Sequence, residues 1–314
     1  MSGQRWSILS DAGNAIRLAG ALERHGSGRP RTGGSLGLVL MGVMVKTLGT
    51  RIPTLEILFF RSLLGFFFVL PLFFRNPMEP LRTKRHGMHF ARGGLGFLGN
   101  SFLFWTLTHM LLADAMALQF SRPLFLIPLA VLMLGEVVGW RRGIVTFIGF
   151  LGIIVYARPF TAGFDPGVFV GAAGALSSAF VVIVIKRLAT TESTPCIMFY
   201  YAFWTALLSF IPTVWLWVTP DWYELFLLVL VGVFGMLGQW MITHGYVLGD
   251  TSALAPLDYM RIVYSAVLGY LLFGELPGLW SYAGMALIVA SSLYLVLNEA
   301  KRRRDAVAAP SAGS

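Results

Sequence analysis

Long apolar runs alternate with short polar punctuation along most of the chain. The runs fall at about 35–50, 54–74, 88–110, 113–135, 140–157, 167–187, 194–218, 223–246, 251–273 and 279–298. They are apolar on every face, without the two-residue alternation of a barrel strand or the single stripe of a soluble helix. At about 20 residues per crossing, the pattern predicts ten membrane-spanning helices joined by short loops. Turn and charge signals mark the breaks at Arg51-Ile52-Pro53, the 75–86 stretch, Trp140-Arg141-Arg142, Asp165-Pro166-Gly167, Thr219-Pro220-Asp221 and Leu276-Pro277-Gly278. Two boundaries are weaker, marked only by Ala113-Asp114 and Gly249-Asp250. Residues 1–34 read as a polar tail with a short amphipathic helix around Ala15 to Leu22, and the basic segment 299–314 as a disordered tail. The tail has no apolar core followed by a small-residue cleavage site, so a cleaved signal peptide is not expected.

Composition sharpens this picture. Of 314 residues, 56% are hydrophobic and only 12% charged, with a mean hydropathy of +0.73. A soluble domain carries about 25% charged residues. An ordinary soluble enzyme is excluded, and so is a disordered chain, which would be poor in apolar residues. The net charge of +9 is placed asymmetrically, and membrane orientation explains it better than a nucleic-acid partner, which is not expected. With ten spans, 18 of the 24 Lys and Arg residues fall in both tails and in the loops on the side of the tails; the count includes Arg92, taken with the 75–92 stretch. Only Arg51 and Arg158 fall on the other side, and Lys46, Arg61, Arg122 and Arg261 lie within spans. Both termini are therefore expected in the cytoplasm, with the chain in the cytoplasmic (inner) membrane. The lone Cys196 can form no internal disulfide and fits no zinc spacing, so neither redox chemistry nor a metal or other cofactor is expected.

The two halves repeat one another. Gly96-Phe97-Leu98-Gly99-Asn100 aligns with Gly235-Met236-Leu237-Gly238-Gln239, Arg122 with Arg261, and Gly135-Glu136 with Gly274-Glu275, all 139 residues apart. Lys46 aligns with Lys186 at 140 and Ala113-Asp114 with Gly249-Asp250 at 136. Five spans is an odd number, so the second copy would sit upside down relative to the first. Inverted repeats of this kind are a transporter design, with the site between the halves and alternating access by rocking.

These residues resemble the drug/metabolite transporter superfamily, specifically proteins with two EamA-type repeats. The resemblance rests on Glu56-Ile57-Leu58-Phe59-Phe60-Arg61, Ala113-Asp114-Ala115, Pro128 with Leu134-Gly135-Glu136, and Gly149-Phe150-Leu151-Gly152. In the second half it rests on Ala255-Pro256 with Tyr259, and on Phe273-Gly274-Glu275-Leu276-Pro277. It implies an all-α integral membrane protein of ten transmembrane helices, arranged as two inverted five-helix repeats around a central cavity lined largely by spans three, four, eight and nine. The repeats would occupy 35–158 and 167–298. It also implies secondary transport of a small polar metabolite, with amino acids, nucleosides and purines, riboflavin or S-adenosylmethionine among the family's substrates.

Charged side chains inside a span must be paired or face a wet cavity. Asp258 and Arg261 are three apart in span nine, on one helical face, and Gln119 and Arg122 hold the equivalent places in span four. Arg122 and Arg261 could offer planar donor forks to a carboxylate, phosphate or carbonyl. Asp258 could hold Arg261, bind a substrate amine or carry a coupling proton. The bland alternative is a buried bridge that only fixes packing. Asn100 and Gln239 could bind a polar substrate or tie helices together. Trp105, Tyr259 and neighbouring aromatics could stack on a flat heterocycle. Glu136 and Glu275 stand at span ends, where capping by the helix dipole competes with proton carriage. His109 and His244 are weaker candidates for coupling. Pro123, Pro128 and Pro256 each free a backbone carbonyl, for substrate or merely for a packing kink.

The sequence therefore predicts a secondary transporter with no catalytic residues, whose partners are a small metabolite, the lipid bilayer and, as coupling ion, the proton; a homodimer is an open option. The alternatives are a membrane enzyme, for which no metal cluster or activated nucleophile is found, and a passive channel. No Walker lysine pattern supports ATP-driven transport.

Overall fold

The structure is a computed structural model that describes residues 29–73, 83–135, 139–158, 165–248 and 255–308; within 29–35, 71–73, 134, 245–248, 255–260 and 299–308 it describes backbone but not side chains. Among the described residues it is all-helical, with no strand. In chain order the helices are α1 (Arg29–Leu48), α2 (Thr54–Phe73), α3 (His86–His109), α4 (Leu112–Gln119), α5 (Arg122–Leu134), α6 (Trp140–Ala157), α7 (Gly167–Leu188), α8 (Thr194–Leu216), α9 (Trp222–Leu248), α10 (Ala255–Phe273) and α11 (Leu279–Ala308). Six segments are long and apolar enough to cross a membrane: Leu112–Met133 (spanning α4 and α5), Trp140–Ala157, Gly167–Leu188, Thr194–Leu216, Trp222–His244 and Leu279–Asn298. Leu36–Leu48 and Arg261–Phe273 are apolar but shorter.

Each apolar run carries helix, with instructive differences. The fourth run breaks in two. Pro123 has no N–H to bond the carbonyl one turn back, so Phe120 and Ser121 close short turns onto Ala117 and Leu118, and α5 restarts with Leu124 bonding Ser121. Because Leu124 turns to Ser121, the Phe120 carbonyl is also left without its helical partner, and it receives the Ser292 hydroxyl of α11 at 2.5 Å. The expected disordered tail after Glu299 is instead a continuation of α11 to Ala308. Lys, Arg, Glu and Ala are good helix formers, and a helix already nucleated extends through them cheaply. The expected amphipathic helix near 15–22 lies outside the described residues.

The repeated Gly-Glu pairs have a local cause. Gly135 (φ 67°) and Gly274 (φ 66°) stand in the left-handed region, where a side chain is strained, and end α5 and α10 by bonding Val131 and Tyr270. At the start of α9, Asp221 and Glu224 form a reciprocal capping box: the Glu224 N–H donates to Asp221 Oδ1 at 2.7 Å and the Asp221 N–H to Glu224 Oε2 at 2.8 Å.

The most extensively packed helix pairs are α6 with α11, α3 with α7 and α2 with α8, followed by α1 with α9. Next come α2 with α9, α3 with α8, α1 with α10, and α5 with α7. This set maps onto itself when α1, α2, α3, α4–α5 and α6 are exchanged for α7, α8, α9, α10 and α11. Small residues permit the closest approaches, as expected where lipid removes the hydrophobic drive between helices. A Cβ on Gly284 of α11 would lie 2.9 Å from the Gly152 carbonyl of α6 and 2.6 Å from the Tyr156 Cβ. One buried cluster unites Leu48 of α1, Leu58 of α2, Phe104 of α3, Leu112 of α4 and Leu228 of α9. The outer surface is apolar, with Trp215 and Trp222 85% and 87% exposed. Arg92, expected in a polar loop, lies in α3 and is only 1% exposed, because α3 already begins at His86 and turns this residue inward.

Candidate functional site

At one end of the bundle, where α1, α3 and α6 finish and α4 and α11 begin, lies a cavity of about 370 Å³. Its wall brings together Lys46, Asp114, Tyr156, Arg158, Asp165 and Ser281. Asp114 sits in the first turn of α4, a position that favours a carboxylate, and is 3% exposed. One of its oxygens accepts the Tyr156 hydroxyl, which in turn accepts from Ser281. Its Oδ1 has no hydrogen-bond partner. Asp165 Oδ1 accepts the Gly167 N–H at 2.8 Å, fixing the entry to α7. Arg158 closes α6 with a positive φ of 47°, a conformation uncommon for a residue with a side chain. Beside these groups the Trp105 and His109 rings stack, 4.3 Å apart and 8° from parallel.

Glu275 closes one side. Its Oε1 pairs with Lys46 Nζ at 2.6 Å, and its Oε2 accepts the Leu112 N–H that opens α4, also at 2.6 Å. Lys46 donates as well to the Met110 carbonyl. The carboxylate thus caps a helix, but α4 rather than the helix that follows it in sequence.

Deeper in the bundle, α2, α3, α8 and α9 enclose a second polar centre. Arg61 Nη1 donates to the Tyr201 hydroxyl at 3.0 Å and Nη2 to the Gly235 carbonyl at 3.3 Å. The Asn100 amide also donates to Tyr201, at 3.1 Å, and the Arg92 guanidinium lies over the Tyr201 ring at 4.1 Å. Arg61 is 6% exposed, and among the described residues neither arginine forms an ion pair with a carboxylate.

The residues singled out in the sequence are distributed among these places. Gln119 and Arg122, both half-buried, flank the α4–α5 break, and Arg261 of α10 comes to the same region with its guanidinium 5.6 Å from the Phe120 ring centre. Asn100 belongs to the deep centre, and Gln239 contacts Thr243 one turn along α9 at 3.4 Å. Trp105 stacks on His109, which lines the cavity, without lining it itself. The side chains of Asp258, Tyr259 and Glu136 fall outside the described residues. Sequence reasoning passed over Asp114, Tyr156, Asp165 and Ser281 as site residues. Only Asp114 carried a signal, as part of the repeated Ala-Asp pair.

Comparisons with known proteins agree on one family. The model of the EamA-like transporter family matches residues 33–158 and again 165–297. An S-adenosylmethionine uptake transporter of Rickettsia felis is 34% identical over 82% of this chain and 88% of that protein. A riboflavin transporter of Brucella anthropi is 28% identical over 85% and 96%, respectively. One solved crystal structure superposes with a TM-score of 0.60 over 87% of this chain and 97% of that one at 20% identity, a likeness of fold alone.

Proposed function

The chain belongs to the EamA-like transporter family, a membrane transporter of small metabolites and not an enzyme, and from that premise we propose that its cargo is a zwitterionic metabolite with an α-amino-acid head group, of which S-adenosylmethionine is the leading case. The observation that carries this reading is the presence of both charge signs in one cavity. Asp114 offers an unpartnered carboxylate oxygen to an ammonium, with Asp165 nearby, while Lys46 and Arg158 lie on the same wall for a carboxylate. The Trp105–His109 stack adds a flat surface suited to a heterocycle. The volume lies within the range of ligand pockets, about 300–1,000 Å³. A neutral flavin would leave the opposed charges unused, which ranks riboflavin second.

The same reading takes the ten apolar runs as ten spans in two inverted repeats, with both termini in the cytoplasm of a cell with an inner membrane, and transport by alternating access. It is supported by the distribution of Lys and Arg, by the 139-residue register and by the exchange symmetry of the helix pairs. On this orientation the cavity opens outward. Arg122 and Arg261, with Gln119, stand further along the route, at the α4–α5 break. Asp258 and Glu136 remain the coupling candidates, since both oxygens of Glu275 are engaged in the clasp.

Uptake of labelled S-adenosylmethionine into proteoliposomes tests the assignment. We expect concentrative uptake, competition by excess unlabelled substrate but not by riboflavin, and at least a tenfold loss in Asp114→Asn at unchanged reconstitution. Accumulation of riboflavin alone, or full activity in Asp114→Asn, would overturn it.

A further inference from the structure

The end of the bundle remote from the cavity holds a cluster that transport of a metabolite does not use. His89 lies one turn into α3, whose other end, His109, borders the cavity. Glu192 comes from the connection between α7 and α8, and Cys196 from the first turn of α8. Cys196 Sγ lies 3.2 Å from Glu192 Oε2 and 3.8 Å from His89 Nε2, and Nε2 lies 3.9 Å from the same Glu192 oxygen. His89 is 0% exposed and Cys196 2%, while Glu192 is half-buried, so the cluster is approached from the Glu192 side.

We propose that His89, Glu192 and Cys196 form a binding site for a borderline-soft divalent metal ion, zinc above all. Thiolate, imidazole and carboxylate are the donor types zinc selects, and three protein ligands leave a fourth position for water. At zinc bond lengths of about 2.3 Å to sulfur and about 2.0–2.1 Å to nitrogen or oxygen, tetrahedral ligands stand about 3.3–3.6 Å apart. The three separations found here, 3.2, 3.8 and 3.9 Å, depart from that by up to about half an ångström, within reach of side-chain rotations.

Two further observations separate this from an ordinary buried hydrogen-bonded group. The His89 ring is fully enclosed, and its Nε2, the nitrogen turned toward the cluster, meets only the sulfur and the carboxylate at distances too long for a good hydrogen bond. The ring lies against Tyr200, 4.4 Å between centres and tilted by 33°. Glu192 is oriented from behind, since Thr83 Oγ1 donates to its other oxygen, Oε1, at 2.7 Å, leaving Oε2 turned toward the cluster. Such outer contacts orient ligands in metal sites. Binding would release the thiol proton to water and replace one S–H···O contact by three metal bonds. The ligands come from both halves of the chain, so the ion would pin α3 to α8.

The full chain, purified in detergent with its affinity tag removed and stripped by a chelator, is titrated with cobalt(II) as a spectroscopic stand-in for zinc. We expect one equivalent to bind with near-ultraviolet thiolate-to-cobalt absorption and tetrahedral visible bands, and zinc to displace it. Cys196→Ser should lose the near-ultraviolet band, and His89→Gln and Glu192→Gln should weaken binding at least tenfold. Zinc should also raise the thermal unfolding temperature of the wild type and leave Cys196→Ser unmoved. Absence of a saturable cobalt spectrum in the wild type overturns the proposal, as does an unchanged spectrum in Cys196→Ser. Should the serine variant not fold, the wild-type stoichiometry and the Glu192→Gln titration decide in the same way.

Discussion

Tyr201 holds together charges that would otherwise stand in the bundle without company. It accepts from Arg61 and Asn100 through its hydroxyl and faces Arg92 with its ring. Removing that hydroxyl in Tyr201→Phe takes the Nη1 partner from the buried Arg61 and one of two acceptors from the half-buried Asn100 amide, which keeps the Gly96 carbonyl, at a cost of about 1–3 kcal/mol. We expect the detergent-purified variant to unfold several degrees below the wild type, read by tryptophan fluorescence, with the protein still inserted. Arg61 was visible in the sequence as a charge inside an apolar run. Tyr201 was not, since an aromatic among aromatics gives no sign of its partners. Arg92 was misplaced for a related reason: the basic, histidine-rich stretch before it reads as loop, and no local signal says that one of its arginines faces inward. The same holds for Tyr156 and Ser281, which become site residues only because α6 and α11 pack together beside Asp114.

At the level of elements, the length and unbroken apolar character of the runs located the helices, and the proline and glycine signals located most of their ends. The α4–α5 break is legible at Pro123, which frees a backbone carbonyl, but the Ser292 hydroxyl that meets the Phe120 carbonyl at the break is 172 positions away in the chain. The contact between α6 and α11 gives the clearest test at this scale. In Gly284→Val the new side chain would meet the Gly152 carbonyl and the Tyr156 Cβ, groups that cannot rotate aside. Overpacking of this kind costs about 1–3 kcal/mol, and we expect earlier aggregation on heating, followed by size-exclusion chromatography. On the same helix as Gly152, Gly143 has nothing within 4 Å of its would-be Cβ. Gly143→Ala should be neutral or gain about 0.5–1 kcal/mol from helix propensity, which makes it the matched control.

For the whole molecule, the repeat was legible because paired residues recur at offsets of 136, 139 and 140, and the helix pairs that exchange with each other fall in the same order. What the sequence could not supply was which residues converge on a cavity. Lys46 and Glu275 were each noted, yet nothing within either segment says that they meet. The proposed orientation has its own test. A fluorescent reporter fused after Ser314 should light up, while alkaline phosphatase fused there should stay inactive; the opposite pattern would place the tails outside and turn the cavity toward the cytoplasm.

The clasp at Glu275 bears on how such a molecule moves. One carboxylate grips the tail of α1 through Lys46, the head of α4 through Leu112 and the tail of α10 through its own chain. None of the three can drift alone without stranding a charge or a helix terminus. Widening the mouth by parting α1 or α4 from α10 thus breaks a charged contact, so a single side chain ties the positions of three helix ends to one another.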